Sequence, residues 1–187
     1  MSSLPRSTVF YGAVINPQTL TDYQALPNCL LSVGPDGAID WLVDDVPDSM
    51  VQEVLAQKGS VDADVIALKH GEFIMPGFVD THTHAPQMPN LGRGQEYELL
   101  DWLNEVTFPM EAKFSDVDFA RRTYESVVRR TINSGTTTCC YYGTLHLEAT
   151  KILADIVHSH GQSTLIYLFL ARGAHKAPSR PTSIRRG

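Results

Sequence analysis

Two histidines one residue apart, His82 and His84, carry the strongest chemical signal in the sequence. They close the short apolar run Phe78-Val79-Asp80-Thr81-His82. In an extended strand, residues i and i+2 project from the same face. Both imidazoles would then converge on one point, as two ligands of one metal ion must. Neutral imidazole is the common nitrogen donor to zinc, at about 2.0–2.1 Å. A bare His-x-His pair also occurs on ordinary surfaces. Its place at the C-terminal end of an apolar strand makes it a metal-site candidate, because that end is the catalytic face of a (β/α) barrel. Asp80 reads either as a carboxylate that orients a liganding imidazole or as a cap on the strand end.

The remaining candidates are weaker. His146 follows a later strand and reads as a surface residue of a βα loop, with a pocket role as the other option. His158 and His160 lie at a helix end, where a cationic imidazole suits the dipole. His70-Gly71-Glu72 has the His-x-Glu of one zinc-deaminase type, but that site also needs Pro-Cys-x-x-Cys. The adjacent pair Cys139-Cys140 does not supply it. Gly92-Arg93-Gly94 lacks the third glycine and the preceding strand of a dinucleotide loop. The four arginines 121, 122, 129 and 130 read as a solvated helix face. Three cysteines, an odd number, make no disulfide framework and point to a reducing, cytoplasmic setting.

The elements that must position the pair follow from periodicity and turn chemistry. Thr8–Ile15, Leu30–Val33 and Ala38–Val43 are β-rich, and Gly34-Pro35-Asp36-Gly37 marks a hairpin turn between the last two. Residues 48–57 have helical spacing, and Val65–Leu68 and Glu72–Met75 read as short strands. Residues 85–97 read as a loop and Leu99–Val106 as a short helix. Ser115, three before Asp118, predicts the start of a helix that buries Ala120, Tyr124, Val127, Val128 and Thr131 and ends at Gly135. Thr136–Tyr142 is a strand, Leu147–His160 a second amphipathic helix ended by Gly161, and Thr164–Leu170 a third apolar run. Strand, helix, strand, helix, strand over residues 76–170 implies a parallel sheet with buried strands and right-handed crossovers.

The chain has 187 residues, enough for one medium domain or two small ones. With 43% hydrophobic and 19% charged residues it can build a core, which excludes disorder throughout. The net charge of −6 argues against nucleic acid or an anionic membrane as partner. The charge is uneven: residues 162–187 hold Arg172, Lys176, Arg180, Arg185 and Arg186 and no acid. No apolar run approaches the roughly 18 residues of a membrane span, and Met1–Pro5 has no signal core.

The string Pro76-Gly77-Phe78-Val79-Asp80-Thr81-His82-Thr83-His84 resembles the signature of the metal-dependent amidohydrolase superfamily, in which two histidines end the first barrel strand. The likeness continues through Gln87, Leu100-Asp101-Trp102-Leu103, Thr107-Phe108-Pro109-Met110-Glu111, Tyr124, Val127 to Thr131 and Gly135-Thr136-Thr137-Thr138. This ordered set is similar to the guanine deaminase family more than to the superfamily at large. It spans residues 65–162, and the early strands fit, less specifically, the small β-sandwich that precedes the barrel there.

The resemblance implies an α/β fold: the N-terminal part of a (β/α)8 TIM barrel, incomplete at about three strands, preceded by part of a small β-sandwich. Residues 1–70 would be the β-rich region, 71–170 the start of the barrel and 171–187 a disordered basic tail. It implies hydrolysis of guanine to xanthine and ammonia by a zinc-activated water, with one Zn2+ per site. His82 and His84 would be the metal ligands. Gln87, with His84, Ala85 and Pro86, would bind the substrate guanine. The family forms a homodimer at full length in this reading. The acid/base residues and further ligands are expected beyond the end of this chain, which is therefore read as a truncated product with little or no activity alone. The alternative is a non-catalytic truncated isoform or a misfolded fragment. Within enzymes, the alternative is another zinc amidohydrolase acting on a related ring substrate.

Overall fold

The computed structural model describes residues 6–167, so the expected basic tail and the end of the third apolar run lie outside the described residues. The chain divides at Pro76/Gly77 into two compact units.

The first unit is a five-stranded sheet. β1 (Thr8–Pro17) and β2 (Tyr23–Val33) form an antiparallel pair, and β3 (Ile39–Val43) adds to β2 through the Gly34–Gly37 turn. In that turn the Gly34 N–H donates to Ala38 O and the Gly37 N–H to Gly34 O. A 3-10 turn (Asp48–Met50) leads into α1 (Val51–Gln57). β4 (Asp64–Ala67) and β5 (Phe73–Ile74) both run parallel to β1. Val9, Leu30, Val46 and Leu55 form the core, with Trp41, Val51 and Val54 packed around it.

β2 begins seven residues before the predicted run at Leu30. Residues 23–29 include Pro27 and Asn28 and carry no alternating apolar pattern. Pairing with β1, across a bulge between Gly12 and Val14, holds them extended.

The second unit contains three parallel strands in the order β6 (Phe78–Thr83), β7 (Thr136–Tyr142) and β8 (Ser163–Tyr167). α4 (Val117–Asn133) connects the first two and α5 (Leu147–Ser159) the last two. The predicted apolar stripes are the buried ones. Ala120, Tyr124, Val127 and Val128 of α4 pack with Ile152, Leu153, Ile156 and Val157 of α5 against Cys139 and Tyr141 of β7. Gly77 admits β6 beside β7, since a Cβ there would collide with the Thr137 side chain. Gly135 follows α4 at φ +87°, the left-handed conformation that ends a helix without Cβ strain.

Three expectations change. The cap of α4 is Asp116, whose Oδ1 accepts from the Asp118 and Phe119 N–H groups at 2.9 and 3.2 Å. Ser115 instead donates to Ala112 O. The loop after the histidines is partly helical, with a 3-10 segment at Ala85–Asn90. The expected short helix is one continuous run: α2 (Leu99–Trp102), a π-helical turn (Leu103–Thr107) and α3 (Phe108–Ala112). Pro109 lies inside this continuous run, two residues after the π-helical turn, and donates no helical N–H there.

The expectation of buried strands holds for one face only. α4 and α5 cover Cys139 and Tyr141, while Phe78, Val79, Leu165 and Tyr167 are each more than half exposed. Two helices on the same side leave the other face open.

Beneath the helices a buried amide joins the start of β8 to β7. Tyr141 Oη donates to Gln162 Oε1 at 2.9 Å, and Gln162 Nε2 donates to Thr136 O at 2.9 Å and to Thr131 Oγ1 at 3.3 Å. Burial pushes the Tyr141 hydroxyl far above the usual phenol range.

Candidate metal centre

β6 carries its polar residues to its C-terminal end because Phe78 and Val79 open it and Thr83 is buried at its close. The Asp80 carboxylate accepts from the His82 backbone N–H at 3.0 Å, so of its two predicted roles it takes the strand-end cap. That bond holds the backbone at the pair of imidazoles.

His82 and His84 face each other with Nε2 atoms 3.0 Å apart. Two nitrogens bound tetrahedrally to one zinc ion at 2.0–2.1 Å lie about 3.3 Å apart, so the spacing is close to that of two adjacent ligand positions. His82 is exposed and His84 half-buried. Burial lowers the His84 pKa from its ordinary value, the neighbouring His82 lowers it further, and the Glu111 carboxylate opposes both. The net direction favours the neutral imidazole, the form in which a histidine binds metal.

Tyr142, at the end of β7, stacks on both rings: 4.4 Å between centroids to His82 and 5.1 Å to His84. Tyr167 of β8 stacks on Tyr142 in turn, at 5.3 Å. Parallel strands bring their C-terminal ends to the same edge, so β7 places a ring where β6 ends.

Gln87 follows on the 3-10 segment. Its Nε2 donates to Glu111 Oε1 at 3.1 Å and lies 3.3 Å from His84 Nδ1. Ala85 and Pro86 are fully buried, Ala85 within the hydrophobic core. A cavity of about 290 Å³ adjoins the pair. Its wall takes His84 and Gln87 from this segment, Leu103, Thr107, Phe108 and Glu111 from the helical run, and residues 143–145 from the turn after β7. Thr107 Oγ1 is buried with no hydrogen-bond partner among the described residues.

The other histidines stand apart. His146 is the first-turn cap residue of α5, where its backbone carbonyl accepts from the Thr150 N–H. His160 sits at the C-terminal cap of α5, but its ring turns to Glu125 of α4 at 2.8 Å. Among the described residues no group of three or more His, Cys, Asp or Glu side chains could hold a metal ion. The described chain thus offers two of the four positions of a tetrahedral shell.

Tyr142 and Glu111 were not assigned roles from spacing. Tyr142 reaches the pair because Tyr141 pairs in register with Thr83, a register that shifts between Asp80 and Thr83 and that strand order does not give. Glu111 lies 24 residues from Gln87, across a π-helical turn that no periodicity announces.

A half-built histidine cluster at the C-terminal edge of a parallel sheet, with helices on the sheet's covered face, defines a class. The chain belongs to the amidohydrolase family, whose model matches residues 73–183. Within that family it is similar to the guanine deaminase of Dictyostelium discoideum, 40% identical over 163 residues, and to that of Mus musculus, also 40% identical over 163 residues. These alignments cover 84% and 87% of this chain. The solved guanine deaminase of C. acetobutylicum, with guanine bound in its active site, superposes with a TM-score of 0.71 at 33% identity over 86% of this chain. The chain spans only 35–36% of the length of these relatives.

Proposed function

We propose that this chain carries the N-terminal part of a guanine-deaminating hydrolase site. We take the second unit, from Gly77 onward rather than from residue 71, as the first three strands of a (β/α)8 barrel, and the first unit, through Pro76 rather than residue 70, as part of the β-sandwich that accompanies it. The observation that carries the proposal is the Nε2 pair of His82 and His84, 3.0 Å apart, beside a cavity walled by Gln87. The similarity to guanine deaminases supports guanine as the substrate.

His82 and His84 would hold zinc through Nε2. A bound zinc ion lowers the pKa of water beside it and so supplies a nucleophile at neutral pH. The chain's own residues do the rest of what is described. Gln87 reads the purine edge with its amide. Leu103 and Phe108 give apolar walls that exclude water from the ring. Ala85 and Pro86, buried under the segment, fix the backbone from which His84 and Gln87 project. In the reaction, water oxygen bonds the amino-bearing carbon, the C–N bond breaks, and ammonia leaves xanthine behind. The group that moves the proton lies outside residues 6–167 in this reading. The three free thiols at Cys29, Cys139 and Cys140 support a cytoplasmic setting.

Zinc titration of the purified chain tests the ligand assignment. Weak saturable uptake is expected, abolished in His82→Ala/His84→Ala. Uptake unchanged in the double variant overturns it. Xanthine formation by this chain alone should be slight, and turnover near about 10 s⁻¹, an ordinary enzymic rate, would overturn the claim that the proton-moving group lies outside the described residues.

A further inference from the structure

Resting on the reading of the cavity as a purine site, we infer that Glu111 is a positioning residue that sets specificity by fixing which side of the Gln87 amide faces the ligand. The amide and the carboxylate meet at 3.1 Å. An ionised carboxylate only accepts, whereas an amide has a donating NH2 and an accepting oxygen. With Oε1 turned toward Glu111, two acceptors would face each other at that distance. The NH2 group is therefore held on Glu111. His84 Nδ1, 3.3 Å from the same nitrogen, accepts from it only in the Nε2–H tautomer, the metal-free form.

Gln87 Oε1 remains, and no donor reaches it among the described residues. Glu111 itself lines the same cavity. Thr107 also lines the cavity, with its hydroxyl buried behind the wall. This wall is rich in acceptors, and it lies in a cavity of about 290 Å³, near the lower limit of small-molecule sites. Its complement is a planar ring edge that carries adjacent N–H donors. Guanine has such an edge, in its ring N–H and exocyclic amino group. Hypoxanthine keeps the ring N–H and lacks the amino group. A site built to accept from a donor leaves its buried acceptors unpaired when the donor is missing, and it rejects the analogue for that reason.

Two measurements on the full chain test this, with Glu111→Gln and Glu111→Asp as variants. The first is the nitrogen–proton NMR spectrum of the Gln87 side-chain amide. In the wild type its two protons should be well separated. In Glu111→Gln they should move to ordinary exposed-amide positions, while the signals of β6 and β7 stay in place. Amide signals unchanged in Glu111→Gln overturn the inference. The second is equilibrium dialysis with guanine and hypoxanthine. The wild type should prefer guanine by about tenfold or more, the worth of one hydrogen bond to a charged group. Glu111→Gln should lose most of that preference and Glu111→Asp retain part of it. A preference undiminished in both variants overturns the inference even if the amide signals move. Binding of neither base by a wild type whose amide behaves as expected leaves the positioning by Glu111 supported, and sinks the purine reading under Proposed function instead.

Discussion

Tyr142 stacks on His82 with 4.4 Å between ring centroids and 25° between planes, so one strand buttresses the histidine pair that its neighbour supplies. A ligand whose orientation is set before the metal arrives loses less freedom on binding. Tyr142→Ala should weaken zinc uptake by about tenfold, the lower range for partners that orient liganding histidines. Tyr142→Phe should keep most of the affinity, because stacking needs only the ring. A competitive chelator titration of the three proteins distinguishes the outcomes, and equal affinity in Tyr142→Ala would show that the stack is incidental.

Asp116 caps α4 through two backbone N–H groups. Asp116→Ala should cost about 1 kcal/mol in urea unfolding, the typical worth of an N-cap. Asp116→Ser should recover most of that loss. Ser115→Ala removes only a bond to Ala112 O and should cost about 0.5 kcal/mol or less. A larger loss from Ser115 than from Asp116 would reverse the assignment.

Gln162 joins Tyr141, Thr131 and the Thr136 carbonyl beneath the helices. Gln162→Leu leaves the Tyr141 hydroxyl and the Thr136 carbonyl without this partner in a buried place. A loss of about 2–4 kcal/mol follows from the cost of unpaired buried groups. The Tyr141 hydroxyl keeps Thr131 Oγ1 at 3.2 Å, and adding Tyr141→Phe removes one of the groups that lost Gln162, so the double variant should be less destabilised than the sum of the singles. Strict additivity in a double-mutant cycle would argue that the groups act independently.

The first unit should lose stability in alkali. Burial, with Asp44 second, pushes the Cys29 thiol from 9.0 to about 11. The hydrogen bond to Asp48, with burial and the carboxylate's charge behind it, pushes the Tyr11 hydroxyl from 10.0 to about 12. Both folded values exceed the unfolded ones, so the protonated forms are favoured by folding. Their contribution is complete below pH 9.0 for the thiol and below pH 10.0 for the phenol. It disappears as the pH climbs to about 11 and about 12 respectively. Urea midpoints across this range should fall with pH, and the Cys29→Ala/Tyr11→Phe variant should fall less steeply. Parallel slopes would assign the alkaline loss to other groups.

The strands and long helices were legible because each carries its period in full. The stripe of Ala120, Tyr124, Val127 and Val128 needs one buried side, and α4 buries that side. The extension of β2 back to Tyr23 was not legible, because residues 23–29 are held by cross-strand bonds to β1 rather than by their own pattern. The run from Leu99 to Ala112 was cut short for a related reason. Its π-helical turn shifts the helical period midway, and Pro109 resembles a terminator although the run continues through it.

By itself the sequence determined the two imidazoles on one strand face, the Gln87 that follows them, and the alternation that makes the sheet parallel. These are local properties, set by side-chain alternation, by helical period and by turn residues at short range. The tertiary structure alone decided that Tyr142 stacks on His82, that Glu111 holds Gln87, and that Asp80 caps the backbone instead of an imidazole. Each of those depends on where separate elements end in space. No spacing along the chain encodes the meeting of residues 24 or more positions apart across an irregular helix; packing and parallel register bring them together.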